Sequence, residues 1–469
     1  MFAGREKELK ELENYYKEDT FHFAVFYGRR RVGKTTLINK FRENKKAIYF
    51  AAAETTAKEN LELLSAQILS VLTPEAPVNS FNSYNSAFEY CFKAAMKKRL
   101  IFVIDEYPYL AESDRAVSSL LQALIDKYHN NSRLFLILCG SSMSFMENQV
   151  LGYKSPLYGR RSCQFKIEPF NYFECAKMLP GFNNAEIISL YGICGGIPEY
   201  ISRINNNLSV QKNTENLFFN PTGRLFEEPS NLLKQELKSP QTYNAIISAI
   251  ASGATKMNEI ASIAGIETSQ CSNMLNTLIS LGIVKKEYPV GEKKPSRKTI
   301  YLLADFMFRF WYSFTRPNQS RIQMGFGKKV SDEIFDKSTG KIESYMGHIF
   351  KECAIQFLWR KMGEENNFSA IGKWWGPNPI EKKEEEIDIL AIGADKKSAE
   401  TALFGECKWR NIRTGNDILE NLIRKSALLT NYPKKRYILF SKSNFSNQLI
   451  DNAAKQKDTM LIGLDDMFK

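Results

Sequence analysis

The segment FHFAVFYGRRRVGKTTLINKF, residues 21–41, constrains the fold more than any other part of the chain. Gly28, Gly33, Lys34 and Thr35 fit the pattern G-x-x-x-x-G-K-[ST], with Thr36 directly behind them. An apolar run over 21–27 enters the loop as a buried strand would, and Leu37, Ile38 and Phe41 leave it at helical spacing. Strand, glycine-bounded loop and helix N-terminus together cradle an anion, because successive backbone N–H groups point at phosphate oxygens. Lys34 is then expected to bridge the β and γ phosphates of ATP, and the Thr35 hydroxyl to hold Mg²⁺. The three arginines 29–31 read as an exposed basic lip rather than as nucleotide ligands.

A chain of 469 residues has room for about three domains. No apolar run approaches the ~20 residues of a membrane span, and the start MFAGREKELKEL lacks the pattern of a secretory signal, so a cytoplasmic protein with no membrane partner is expected. The eight cysteines contain no C-x-x-C pair, which argues against zinc ribbons and a disulfide framework. With three scattered histidines, hydrolysis has to rest on carboxylates. A formal charge of +12 favours an anionic partner, with DNA or RNA as one candidate, although many basic proteins bind no nucleic acid.

Downstream of the loop, strands and helices alternate as in an α/β sheet. The apolar run LIFVIDEYPYL (100–110) ends in Asp105 and Glu106, about 70 residues beyond the loop. At the C-terminal edge of a parallel sheet Asp105 would hold Mg²⁺ through water, and Glu106 would act as general base on the attacking water. A further apolar strand, RLFLILCGSS, ends in Ser141 and Ser142, placed either to sense the γ-phosphate or attacking water or simply to open a turn. Arg160 and Arg161 follow in SPLYGRRSCQFKIEPF. They are either surface charge or the source of a guanidinium for the transition-state phosphate, worth ~10³ to 10⁵ in rate where such a finger operates.

FAGREKEL, GRRRVGKTT, IDEYPYL, LYGR before a PF, and GGIPEYI together resemble the archaeal-type P-loop ATPases of the STAND/AAA+ group, over roughly residues 1–235. The resemblance implies an ATPase core with an extra strand between the two catalytic ones, a small helical lid and nucleotide-dependent switching. It sets Arg160 on the family's LYGR, with action in cis or across the interface of a homo-oligomer left open. It sets Gly196 and Pro198 on a GG-x-P motif near the nucleotide.

After residue 236 the alternation stops. Three helical segments precede VGEKKPSRKTIYLL, a basic hairpin with Lys293, Lys294, Arg297 and Lys298 at its tip. The set resembles a winged helix, whose third helix offers Thr268, Ser269, Gln270, Ser272 and Asn273 to base edges; packing between domains is the plain alternative. YLLADFMFRFWYSFTRP reads as a docking helix and RIQMGFGKKVSD as a linker.

The last stretch carries a second constellation. Asp388 lies in one alternating segment, and Glu406 and Lys408 share one face of the next, because strand residues i and i+2 point the same way. Joined as a hairpin, Asp388 and Glu406 would hold Mg²⁺ while Lys408 polarises a phosphate. Glu352 is the acid expected on the preceding helix, with Glu343 as the alternative. This resembles the PD-(D/E)xK restriction-endonuclease-like fold, in the C-terminal domain of unknown function fused to these ATPases; an inactive nuclease fold is the competing expectation. The expected plan is therefore an α/β multidomain chain: a P-loop AAA+-like parallel sheet over 1–170, a helical lid over 171–235, a winged helix with wing and docking helix over 236–320, a linker over 321–340, and a nuclease-like domain over 341–469.

Overall fold

The computed structural model describes residues 2–75, 80–292, 298–362, 367–393, 400–456 and 458–469. The chain forms two compact units, one of Met1–Phe170 with Ile197–Glu199 and one of Asn171–Gly196 with Tyr200–Lys469.

The first unit is built on five parallel strands: β1 (His22–Tyr27), β2 (Ala47–Ala51), β3 (Leu100–Asp105), β4 (Leu134–Gly140) and β5 (Cys163–Lys166), in the order β2-β3-β4-β1-β5. Every residue of β1, β3 and β4 is buried, which is why these segments read as continuous apolar runs rather than alternating ones. β4 stands between β1 and β3, as the resemblance implies for an extra strand. Helices Ala57–Leu72, Tyr84–Lys97 and Val117–Tyr128 bury Leu64, Ile68, Phe88, Phe92, Leu121 and Leu124 in one core with β3 and β4. Parallel register carries the C-terminal ends of all five strands to one edge, where Ala51 faces Asp105 and Tyr27 faces Gly140.

The second unit starts with helices, among them Asn184–Cys194 and Val210–Phe218, and continues through Pro240–Ala251, Met257–Ala264 and Thr268–Ser280 to the antiparallel pair β6 (Val284–Glu287) and β7 (Ile300–Leu303). Helix Thr268–Ser280 buries Cys271, Met274, Leu275 and Leu278 and leaves Thr268, Ser269, Gln270 and Asn273 exposed, with Ser272 half-buried. Of the hairpin-tip cations, Lys293, Lys294 and Arg297 lie outside the described residues, and Lys298 pairs with Glu292 at 2.5 Å. Two expectations are corrected. The start of the aromatic segment is strand β7, with the helix beginning only at Phe306. The expected linker contains the helix Gly327–Phe335, which buries Val330 and Ile334.

Helix Lys341–Met362 leads into a five-stranded sheet: β8 (Phe368–Asn378), β9 (Lys383–Gly393), β10 (Thr401–Lys408), β11 (Lys434–Ser441) and β12 (Thr459–Gly463), in the order β12-β11-β10-β9-β8. The first three pair antiparallel and the last three parallel, with helices Asn416–Ser426 and Asn447–Lys455 serving as the crossovers that parallel pairing requires.

Candidate functional site

In the first unit the polar residues of the sheet's C-terminal edge converge. Gly28 has φ +152°, and a Cβ there would lie 2.4 Å from the Ile167 carbonyl oxygen, so only glycine lets the loop leave β1. Gly33 has φ +92° and opens helix Lys34–Arg42. A Cβ on Gly33 would lie 3.9 Å from Pro198 Cγ, which brings the proline of the GG-x-P motif beside the loop. The Lys34 ammonium runs back along the loop and donates to the carbonyls of Gly28 and Arg29 at 2.8 and 2.9 Å. Burial pulls its pKa below the ordinary lysine value. Thr35 and Thr36 stand exposed on the first turn of the helix.

Thr35 Oγ1 donates to Asp105 Oδ2 at 2.9 Å, joining the loop to the end of β3. Asp105 Oδ1 accepts the backbone N–H of Glu106 at 2.9 Å. Glu106 takes a left-handed conformation, φ +49°, as the chain turns from β3 into helix Tyr107–Ser113. Such conformations cost about 1–3 kcal/mol in a side-chain-bearing residue and gather at functional sites. Ser141 fixes this carboxylate from the end of β4: its backbone N–H and its hydroxyl donate to Glu106 Oε2 at 3.3 and 2.9 Å. Two hard oxygen donors, the Thr35 hydroxyl and the Asp105 carboxylate, thus face one another beside the phosphate loop, a set that suits Mg²⁺.

Two contributors escaped the sequence reading. Arg5, in a left-handed conformation with φ +68°, donates to the Val32 carbonyl at 3.2 Å and to the Glu168 carbonyl, and lies 4.6 Å from the Phe170 ring centre. Tyr49 of β2 donates its hydroxyl to Asp105 Oδ2 at 2.5 Å. The one available signal for Tyr49 was a phenol inside an otherwise apolar strand. The basic lip is also corrected: Arg29 is buried, and Arg30 donates to the Tyr109 hydroxyl at 3.2 Å.

Arg160 is not part of this edge. It precedes β5 and forms a two-pronged pair with Asp126, both contacts 2.8 Å, near the end of the helix that precedes β4. Both residues lie before the N-terminal ends of their strands, on the side of a parallel sheet opposite the phosphate loop.

In the second unit β9 and β10 pair with Gly405 opposite Ile389. One step further Glu406 comes opposite Asp388, so both carboxylates and Lys408 share a face. Lys408 Nζ donates to Glu406 Oε1 at 2.7 Å, and Asp388 Oδ2 accepts the Cys407 N–H at 3.0 Å. The helix residue on Asp388 is Lys351, at 2.5 Å, and not Glu352. Neighbouring helix positions point about 100° apart, and Glu352 turns to Lys285 of β6. Burial, and then the charge of Asp388, push the Glu406 carboxyl above the ordinary range. Burial alone would lower the Lys351 ammonium, but Asp388 and Glu386 hold it above its ordinary value. Among the described residues no three His, Cys, Asp or Glu side chains come together to hold a metal. With Lys351 already neutralising Asp388, the pair Asp388 and Glu406 does not make a fitting cradle for Mg²⁺.

Asp388, Lys351, His348 and Lys373 line a cavity of about 620 Å³ whose opposite wall is the chain after β6, residues 288–292. There the Val290 N–H donates to the Lys373 carbonyl of edge strand β8 at 3.0 Å, and Val290 packs against the core of the sheet.

Residues 2–204 match a family described as an ATPase domain predominantly from Archaea, and residues 311–419 match one described as Archaea bacterial proteins of unknown function. Over 436 residues the chain is 32% identical to Uncharacterized protein MJECL04 of Methanocaldococcus jannaschii, covering 92% of each. A 46-residue segment, 10% of this chain, is 54% identical to 78% of Uncharacterized ATP-binding protein MJ0423 of the same organism. Among solved structures, the Walker-type ATPase PABY2304 of Pyrococcus abyssi shares the fold with a TM-score of 0.50, at 20% identity, over 66% of this chain and 96% of that one. No helix among the described residues is long and apolar enough to cross a membrane.

Proposed function

This chain belongs to the family of the Methanocaldococcus jannaschii protein MJECL04 and is an ATPase, and we propose that its nucleotide state controls how a winged helix and a nuclease-like sheet domain engage DNA. The observation that carries the ATP-site assignment is the single cluster of Lys34, Thr35, Asp105, Glu106 and Ser141 at one edge of the parallel sheet. The loop N–H groups take the phosphates, and Lys34 exchanges the carbonyls of Gly28 and Arg29 for phosphate oxygens, with Gly28, Gly33 and Thr36 shaping the turn around them. Thr35 and Asp105 would hold Mg²⁺, which would supply positive charge to the departing phosphate. Glu106, oriented by Ser141, accepts the proton of the attacking water. From the opposite side of the sheet, Arg160 could reach a transferring phosphate only across the interface of a homo-oligomer.

DNA as partner rests on the charge of +12 and on the exposed polar side of helix Thr268–Ser280. The restriction-endonuclease-like assignment rests on a helix, three antiparallel strands, a crossover helix and a parallel strand, with Asp388, Glu406 and Lys408 on one face. A second reading, a regulatory switch whose last domain binds without cutting, is favoured by the Lys351–Asp388 pair and by the hairpin held against β8.

Purified protein decides among these. Lys34→Ala should abolish nucleotide binding, and Glu106→Gln should keep binding while turnover stops; unchanged turnover in both variants refutes the site. Nicking of DNA with Mg²⁺ or Mn²⁺ that disappears in Asp388→Ala supports cleavage, and DNA binding that responds to ATP without nicking supports the switch.

A further inference from the structure

We propose that Tyr49 is a positioning residue of the ATPase: it fixes the Asp105 carboxylate so that Thr35 and Asp105 present a preformed Mg²⁺ site. The inference rests on the assignment of Asp105 and Thr35 above. Asp105 Oδ2 accepts two hydroxyls at once, Thr35 Oγ1 at 2.9 Å and Tyr49 Oη at 2.5 Å, while Oδ1 accepts the Glu106 N–H at 2.9 Å. A carboxylate rotates freely about one bond, so three donors on two oxygens hold its plane. Without Tyr49, Asp105 keeps the Thr35 hydroxyl, which is exposed and has its own oxygen to offer the cation, and the weakly donating thiol of buried Cys139.

The placement of Tyr49 is itself constrained. It lies in β2, the strand hydrogen-bonded to β3 with Tyr49 opposite Val103 and Ala51 opposite Asp105, so the phenol reaches two positions forward along the neighbouring strand. Its ring lies 4.9 Å from the guanidinium of Arg42, the last residue of the helix whose first turn carries Lys34 and Thr35. Tyr49 therefore touches the last residue of the phosphate-loop helix and the acid that binds its first turn. The acceptor of its hydroxyl is the acid at the strand end beside the loop.

The test is Tyr49→Phe, which removes one oxygen and keeps the ring. A fluorescent methylanthraniloyl-ATP is titrated in EDTA and again in Mg²⁺, and turnover is measured against Mg²⁺ concentration. A hydrogen bond to a charged acceptor corresponds to about a tenfold effect or more. The expected result is unchanged affinity in EDTA, about a tenfold loss of the extra affinity conferred by Mg²⁺, and about a tenfold rise in half-saturating Mg²⁺. Turnover at saturating Mg²⁺ should fall by less than that. Equal losses in EDTA and in Mg²⁺ would show a merely structural tyrosine and overturn the proposal, as would a Mg²⁺ dependence identical to that of the unaltered protein. Loss of Mg²⁺ dependence in Thr35→Ala and Asp105→Asn, measured in parallel, tests the underlying site separately: if neither variant alters it, the site assignment itself fails.

Discussion

At the residue scale, the phosphate loop depends on backbone conformations that only glycine supplies cheaply. Gly28→Ala would bring a methyl to within 2.4 Å of a backbone oxygen at φ +152°. The variant should lose about 1–3 kcal/mol of stability and bind nucleotide poorly, read as a lower midpoint in urea and a weaker ATP titration. His348 supports a prediction of a different kind. Burial, followed by Arg309, Lys285, Lys351 and Lys373, holds its pKa well below 6.5, with Glu352 4.0 Å away. The unfolded chain takes up a proton near pH 6.5 that the folded one refuses until lower pH, so stability is lost as pH falls below 6.5 and is fully present above it. His348→Gln should flatten that dependence between pH 7.5 and 5.5, where one such group contributes up to about 1.4 kcal/mol per pH unit. An equal slope in both proteins would mean the imidazole protonates in place.

At the element scale, helix Gly327–Phe335 shows what the sequence hides. Gly325 and Gly327 punctuate the segment, and Val330 and Ile334 are spaced too sparsely to mark an apolar face on their own, so it reads as a loop. Its helicity comes from tertiary packing: a Cβ on Gly327 would lie 1.8 Å from the Phe219 carbonyl, a backbone approach visible only once the fold is formed. Ile334→Ala should cost about 2–5 kcal/mol, measured by urea unfolding, whereas a linker would tolerate it. The phosphate loop, by contrast, was legible because local chain geometry alone builds it, and so was the shared face of Asp388, Glu406 and Lys408, since strand periodicity fixes it. What the helix sets against Asp388 was not legible. Lys351 and Glu352 are neighbours in sequence, and only the helix rotation and the competing Lys285 decide which one meets the strand. Arg160 illustrates the same limit, since its motif says nothing about which edge of the sheet it occupies.

At the scale of the whole molecule, the chain after Phe170, apart from Ile197–Glu199, counts with the C-terminal sheet rather than with the ATPase core. Tyr345 donates to the Gly192 carbonyl at 2.6 Å, Gln356 to the Tyr191 hydroxyl at 2.9 Å, and Tyr172 to the Met467 carbonyl at 2.7 Å. The first two contacts join helix Asn184–Cys194 to helix Lys341–Met362, the packing through which the proposed coupling of ATP to DNA would pass within the second unit. Gly192 sits at the closest approach, where a Cβ would meet Ile349 Cγ2 at 2.9 Å and Met346 Sδ at 3.1 Å. Gly192→Val should force these helices apart while leaving the phosphate loop, in the other unit, untouched. ATP turnover should then stay within about twofold of the unaltered protein, since the site keeps all its groups, while the difference in DNA affinity with and without ATP shrinks toward none. If that difference survives although hydrogen exchange shows the two helices loosened, the nucleotide signal does not pass through this packing.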